Sequence, residues 1–321
     1  MTTPTARPVD RLRPAGWGAL AVGAALVATA VVSATPALAV AGTRAGADVA
    51  GVACVGIALV AVLLPAEAPT GVHRELRRIH GAADRALLVL AGAWVVLVLL
   101  GVTARTADAF GRTLVRLGGA EVLAWSTRLA AGRGLLLTAG CALVVLGCAA
   151  ARLRDPHRVA ARIPLVAALL GVLTPAVTGH AGSAPDHQLA VVTAALHAGA
   201  AALWVGGLAA MLVFVARHRA LLDATIGRFS QLAGVCVVTV AITGVLAALV
   251  RVPGWGALFG TGYGLLVVSK AVALVALAGL GALARRRLAA GRTPVLRWAG
   301  IEVALMAVTL GLAAALTQSA P

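Results

Sequence analysis

Residues 86–104, ALLVLAGAWVVLVLLGVTA, form a stretch of 19 consecutive residues without a charge. A helix rises 1.5 Å per residue, so this stretch extends about 28 Å, close to the ~30 Å of hydrocarbon in a bilayer. A helix that is apolar on every side is either the centre of a large core or a membrane span. The stretch therefore predicts either a deeply buried helix or one that crosses a membrane.

The whole chain has the same character, which decides between these two. Of its 321 residues, 61% are hydrophobic and 12% are charged, and the mean hydropathy is +0.98. A soluble domain carries about 25% charged residues. We therefore predict an all-α polytopic membrane protein, a bundle of about nine transmembrane helices. Their predicted spans are 16–41, 47–66, 84–104, 134–151, 161–179, 188–216, 229–250, 262–284 and 298–317.

The basic residues lie between these runs and predict the orientation of the chain. Nineteen arginines accompany the amino terminus and the even-numbered gaps, and seven occupy the remaining gaps. Because basic loops stay in the cytoplasm, the amino terminus is predicted to be cytoplasmic. This distribution also explains the net charge of +16 without a nucleic-acid surface, for which the 3% aromatic content is low. No nucleic acid is expected as a partner.

The third gap, 105–133, departs from this pattern because it carries five arginines on the predicted outer side. Leu114, Val115, Leu123 and Trp125 are interspersed with these arginines. Such a mixture is typical of an amphipathic segment that lies on the membrane surface. A miscounted span is the alternative.

The first run has a second interpretation. A basic start, an apolar stretch and Ala37-Leu38-Ala39 resemble a signal peptide with a small-residue cleavage site. Cleavage of residues 1–39 would leave eight spans and would not change the orientation of the rest.

The four cysteines, Cys54, Cys141, Cys148 and Cys236, all lie inside apolar runs. They form no CxxC pair, so neither a zinc site nor a disulfide framework is indicated. We expect them to be buried free thiols.

The most informative polar residues are those within or beside a span, where an ionisable side chain is costly. Between the fifth and sixth runs, residues 179–187 contain His180, Asp186 and His187 but no lysine or arginine. Imidazole suits copper, zinc, iron and nickel, and a loop without cationic residues does not repel a metal ion. These three residues are candidate metal ligands; the alternative is a polar turn that faces water.

His197 is the second such residue, ten residues beyond His187 in the sixth run, or about 15 Å along a helix. The two histidines are therefore too far apart to bind one ion but could act as successive stations. A neutral imidazole can bind a metal or haem at this depth. A hydrogen bond to a neighbouring helix is the alternative.

Lys270 is the third, inside the eighth run and at a depth similar to that of His197. Its ammonium group either extends to the membrane surface or must be paired within the bundle.

Several short motifs at these positions resemble the CopD family of copper-resistance membrane proteins. The resemblance covers about 178–317. It rests on the motifs Thr178-Gly179-His180-Ala181, His197-Ala198-Gly199, Trp204-Val205-Gly206-Gly207, Arg228-Phe229-Ser230-Gln231, Thr243-Gly244 and Tyr263-Gly264-Leu265-Leu266, with Lys270 and Glu302.

The resemblance implies a bacterial inner-membrane protein that transports or handles copper and contributes to copper uptake or resistance. It implies that His180 and His197 match the histidines of the family. It also implies a CopC-like periplasmic copper carrier as a partner, beside the lipid bilayer and the copper ion. On this interpretation, 1–160 form an amino-terminal membrane region of about four helices and 161–321 a CopD-like membrane domain.

A more distant resemblance provides an alternative. A histidine before WxGG and a lysine two spans later are similar to the HemJ type of protoporphyrinogen oxidase, which implies haem b with His197 and Lys270 at its site. The chain contains no Walker loop, GxSxG or HExxH in a suitable context. ATP-driven transport is therefore not expected. On the CopD resemblance we expect a transport protein rather than an enzyme.

Overall fold

A computed structural model of the chain describes residues 38–65, 72–178 and 187–251, with isolated positions between 268 and 286. The described part is helical and contains no strand. Its helices are α1 (Leu38–Leu63), α2 (His73–Ala109), α3 (Gly119–Arg128), α4 (Ala130–Arg154), α5 (Arg162–Thr178), α6 (His187–Ala201, continued to Val215) and α7 (Arg219–Arg251).

Five of these helices are long and apolar enough to cross a membrane: Ala39–Leu63, His73–Ala109, Ala130–Arg154, Gln188–Val215 and Arg219–Leu249. They correspond to the predicted spans two, three, four, six and seven. The fifth predicted span coincides with the shorter helix α5. Most of the first predicted span, and the eighth and ninth apart from isolated positions, lie outside the described residues, so the count of nine and the cytoplasmic amino terminus stay predictions.

The predicted break between the first two spans, at 42–46, is wrong. These residues lie inside α1, which begins at Leu38. Arg44 suggested the break, but its guanidinium lies 3.9 Å from the carboxylate of Asp48 one turn later. An ion pair at this spacing allows a helix to continue through charged residues.

In the third gap, the structure contains a 3₁₀ turn at Leu114–Arg116 and the ten-residue helix α3. A ten-residue helix is about 15 Å long, half of what a membrane span requires. Helix α3 is therefore too short to be a further span by itself, and the amphipathic surface segment and the miscounted span both stay predictions for this gap.

Helix α1 is the centre of the described bundle and packs against α2, α5, α6 and α7. Its glycines allow close approach. The indole of Trp94 on α2 fills the space beside both Gly51 of α1 and Gly171 of α5, where an added Cβ would collide with the ring. Trp94 is consequently buried and belongs to an apolar core that joins α1, α2, α4, α5, α6 and α7.

Helix α6 is irregular beyond Ala201. It passes through two π-helical segments, Ala202–Gly206 and Met211–Val215, separated by the single α-helical turn Gly207–Ala210. At the first segment the backbones of α6 and α1 touch, because a Cβ on Gly56 would overlap the carbonyl of Gly206. π-Helical turns are rare and frequently occur at functional sites.

Candidate functional site

His197 is the sequence-predicted site residue that the structure describes most fully. It lies in the regular part of α6, about 15 Å along the helix from its first residue, His187. Its side chain is partly buried, and the ring Nδ1 is 2.9 Å from the hydroxyl of Thr243 on α7. The expected alternative of a hydrogen bond to a neighbouring helix is therefore confirmed, and this bond also defines how the ring is held.

The hydroxyl of Thr243 determines which ring nitrogen carries the hydrogen. It has one hydrogen, which it donates to the backbone carbonyl of Thr239 at 2.6 Å, with Val240 O at 3.2 Å. Only its oxygen lone pairs remain for His197, so Nδ1 is the donor in this bond. The hydrogen on Nδ1 is thus inferred from the positions of the oxygen and nitrogen atoms around the ring.

A metal-binding histidine is supported by a bond of the same general kind. A ligating imidazole almost always donates its other N–H to an oxygen acceptor, which fixes the tautomer and the direction of the ring. Thr243 is buried, so this acceptor is shielded from water. Gly244 follows it, and a Cβ there would lie 3.8 Å from Cε1 of His197, so the Thr243-Gly244 pair faces the ring.

Sequence reasoning missed the role of Thr243, which it quoted only as part of the family resemblance. The signal that could have found it is a hydroxyl inside the apolar run 229–250. That signal is weak, because threonines in membrane helices usually bond to their own backbone, as Thr239 does to Val235 O.

The other predicted site residues cannot be placed in the same way. His180, Asp186 and Lys270 lie outside the described residues, and the side chain of His187 does as well, although its backbone begins α6. Their roles stay predictions. Among the residues that the structure does describe, no group of three or more histidine, cysteine or acidic side chains could hold a metal ion.

The cysteines are confirmed as free thiols. Cys54, Cys148 and Cys236 are buried and Cys141 is half-buried.

Two polar contacts at the opposite end of the bundle were not predicted. Arg152 of α4 pairs with Asp84 of α2 in a buried position. His218, in the connection from α6 to α7, pairs with Glu75 in the first turn of α2. Neither contact involves His197, and we regard both as structural.

Comparisons with known proteins find similarity to copper-related membrane proteins over part of the chain. Residues 223–316 match the family model of copper resistance protein D, CopD. The chain is also 30% identical over 148 residues to the copper transport protein CutJ of Bacillus subtilis (strain 168). That alignment covers 42% of this chain but only 27% of the relative, so most of the length of the relative lies outside the alignment. No solved structure matches.

The match to the family model begins at 223, so Thr243 lies inside it and His197 lies before it. The resemblance expected from about 178 is thus shown for its later part. Together with the apolar helices, these findings lead to one conclusion: this is a multi-pass membrane protein whose residues 223–316 are similar to the CopD family.

Proposed function

We propose that this chain transports or handles copper in the bacterial inner membrane, and that it does so as a transporter rather than as an enzyme. The observation that carries the proposal is the bond from His197 Nδ1 to Thr243 Oγ1, which joins a histidine within the membrane to the CopD-family segment. Copper is the substrate of this process. The name of the copper transport relative also supports it.

The proposed path begins at the loop between α5 and α6. His180, Asp186 and His187 would capture the ion from the periplasmic side, because imidazole and carboxylate groups bind it and this loop contains no arginine or lysine. The ion would then pass to the imidazole ring of His197. A CopC-like carrier in the periplasm is the proposed donor of the ion.

The haem alternative receives no support from the family model or the relative. Copper handling is therefore the function that we propose.

A direct test measures copper bound to the purified chain in lipid nanodiscs. Cu(II), and Cu(I) kept reduced by ascorbate, are titrated separately, and bound metal is counted by mass spectrometry after removal of free ion. We expect His197→Ala to lower the bound copper by one equivalent. His157→Ala is the matched control, because His157 is exposed in the connection from α4 to α5 and its backbone N–H, not its ring, bonds Asp155.

Transport is tested with the same proteins in proteoliposomes loaded with a copper-sensitive dye. The wild type and His157→Ala should move copper, and His197→Ala should not. Equal binding and equal transport by His197→Ala would overturn the proposal.

A further inference from the structure

The segment Phe110–Leu129 connects the end of α2 to the start of α4 and has a defined fold. The carboxylate of Glu121 accepts a hydrogen bond from the backbone N–H of Gly118 at 3.0 Å and pairs with the guanidinium of Arg112 at 3.0 Å. The first contact caps α3, and the second joins α3 to the chain that leaves α2. The segment is therefore an ordered structure held by specific side-chain contacts.

One face of α3 is fixed to the bundle. Trp125 and Ser126 are buried, and the backbone of both residues lies against Gly132 of α4, where a Cβ would collide with Trp125 O. This anchor determines which side of the segment faces outward.

The outward side is strongly apolar. Val115 is 96% exposed, and four other large apolar side chains are also exposed: Phe110, Leu114, Leu123 and Leu129. In water, the apolar surface of each of these side chains would stay hydrated, which is unfavourable. An exposed apolar patch of this size on a folded segment indicates that another apolar surface covers it.

The exposed surface of this region is also basic. Residues 110–133 contain Arg112, Arg116, Arg128 and Arg133, all exposed, against the single acidic residue Glu121. Apolar side chains next to arginines are typical of a segment that lies in the interface of a bilayer, where the apolar groups enter the acyl region and the cations meet headgroups.

We propose that residues 110–133 lie in the membrane–water interface and bind the headgroups of anionic phospholipids. Their position supports lipid as the occupant, because the segment joins the ends of two membrane-spanning helices. Their charge supports an anionic headgroup over a zwitterionic one. The inference does not depend on copper handling.

The test places a fluorescent label at Val115→Cys in vesicles of phosphatidylcholine with phosphatidylglycerol. Nitroxide quenchers are carried on the headgroup of either lipid or on the acyl chain near the glycerol. We expect quenching by the headgroup and upper-chain nitroxides and protection from iodide in water. His157→Cys, exposed in the connection from α4 to α5, should show the reverse. Wild-type protein treated in the same way corrects for the native thiols.

The anionic preference is read at the same label, as the ratio of quenching by nitroxide phosphatidylglycerol to quenching by nitroxide phosphatidylcholine. Each arginine near an anionic surface contributes about 1 kcal/mol, so the preference should fall by up to about fivefold for each of Arg116, Arg128 and Arg133 changed to glutamine. Arg74→Gln, Arg77→Gln and Arg78→Gln, at the start of α2, should leave the local ratio unchanged. Iodide quenching without lipid quenching, or a ratio that is insensitive to the first three substitutions, would overturn the proposal.

Discussion

Arg152 of α4 donates a hydrogen bond from Nε to Oδ1 of Asp84 on α2 at 2.9 Å, across 68 residues of sequence. The two side chains are only 7% and 5% exposed. Arg152 also donates from Nη1 to the backbone carbonyl of Val159 at 2.9 Å, so the same guanidinium holds the connection that follows α4. A buried charge is tolerated in such a place because its partner and additional hydrogen bonds compensate for lost hydration.

The first prediction concerns this pair. Asp84→Ala leaves the guanidinium of Arg152 buried without its carboxylate, and breaking a buried pair in this way costs about 3–5 kcal/mol. We expect a loss of this order in the free energy of unfolding, measured by denaturant titration in mixed micelles. The double variant Asp84→Leu with Arg152→Leu should be more stable than Asp84→Ala, since it buries no uncompensated charge.

The control for that experiment is Asp223→Ala. Asp223 also pairs with an arginine, Arg219, at 4.0 Å, but their side chains are 69% and 76% exposed. Exposed pairs contribute about 0–1 kcal/mol. Equal losses for Asp84→Ala and Asp223→Ala would contradict a structural role for the buried pair.

The second prediction concerns Thr243 and rests on the proposed function. Thr243→Val keeps the shape of the side chain but removes the acceptor that orients His197. Removing such a supporting hydrogen bond lowers metal affinity by about 10–100-fold. We expect this loss in a competition titration with a chromophoric copper chelator, and near wild-type affinity for Thr243→Ser, which retains the hydroxyl.

The free energy of unfolding of both variants is measured in parallel and should change little. A loss of copper affinity without a loss of stability then separates an effect on the ligand from a general structural effect. If Thr243→Val binds copper as tightly as Thr243→Ser, the hydroxyl does not orient a ligand.

The third prediction concerns the contact of α1 with α6. A Cβ on Gly56 would overlap backbone atoms of Gly206, and backbone cannot move aside as a flexible side chain can. Overpacking of this kind typically costs about 1–3 kcal/mol, so Gly56→Ala should lower the unfolding free energy by at least that amount. Gly140→Ala on α4 is the matched control, since nothing lies within 4 Å of its added Cβ.

The control should be neutral or stabilising by up to about 1 kcal/mol, because alanine favours helix over glycine. Wild-type stability of Gly56→Ala would contradict backbone contact between α1 and α6 at Gly56 and Gly206.

The helices could be predicted from sequence because bilayer thickness imposes a length that hydropathy measures directly. Six of the nine predicted runs coincide with described helices. Helix ends were predicted less well: α2 extends eleven residues before the predicted start at 84. Hydropathy reports where the hydrocarbon begins, whereas a helix ends where its backbone hydrogen bonds end.

The side-chain partners could not be predicted. Asp84 pairs with a residue 68 positions away and His197 with one 46 positions away, and no local pattern encodes such pairings. The π-helical segments of α6 are equally hidden, because Ala202–Gly206 has no composition that separates it from an ordinary helical turn. His197 could be recognised as a candidate site residue without knowledge of its partner, because a histidine inside an apolar run is unusual.

The last prediction concerns Pro175, which lies inside α5 three residues before that helix ends. Proline has no N–H, so the carbonyl of Gly171, four residues earlier, loses its helical donor. Thr138 of α4 donates to that carbonyl at 3.3 Å, and shares its hydrogen with Gly134 O at 3.0 Å. Thr138 is buried, so water does not reach the Gly171 carbonyl to donate a hydrogen bond in its place.

We therefore expect Thr138→Val to lower the unfolding free energy by about 0.6–1.7 kcal/mol, the range measured for hydrogen bonds between membrane helices. Thr103→Val is the control, since that hydroxyl donates to Leu100 O within its own helix. In a Pro175→Ala background the backbone N–H returns to Gly171 O, and Thr138→Val should then cost less. A double-mutant cycle compares the cost of Thr138→Val in the two backgrounds. Equal costs would mean that Thr138 does not compensate for the missing N–H of Pro175. The end of α5, before the loop that contains His180, would then be held by other contacts.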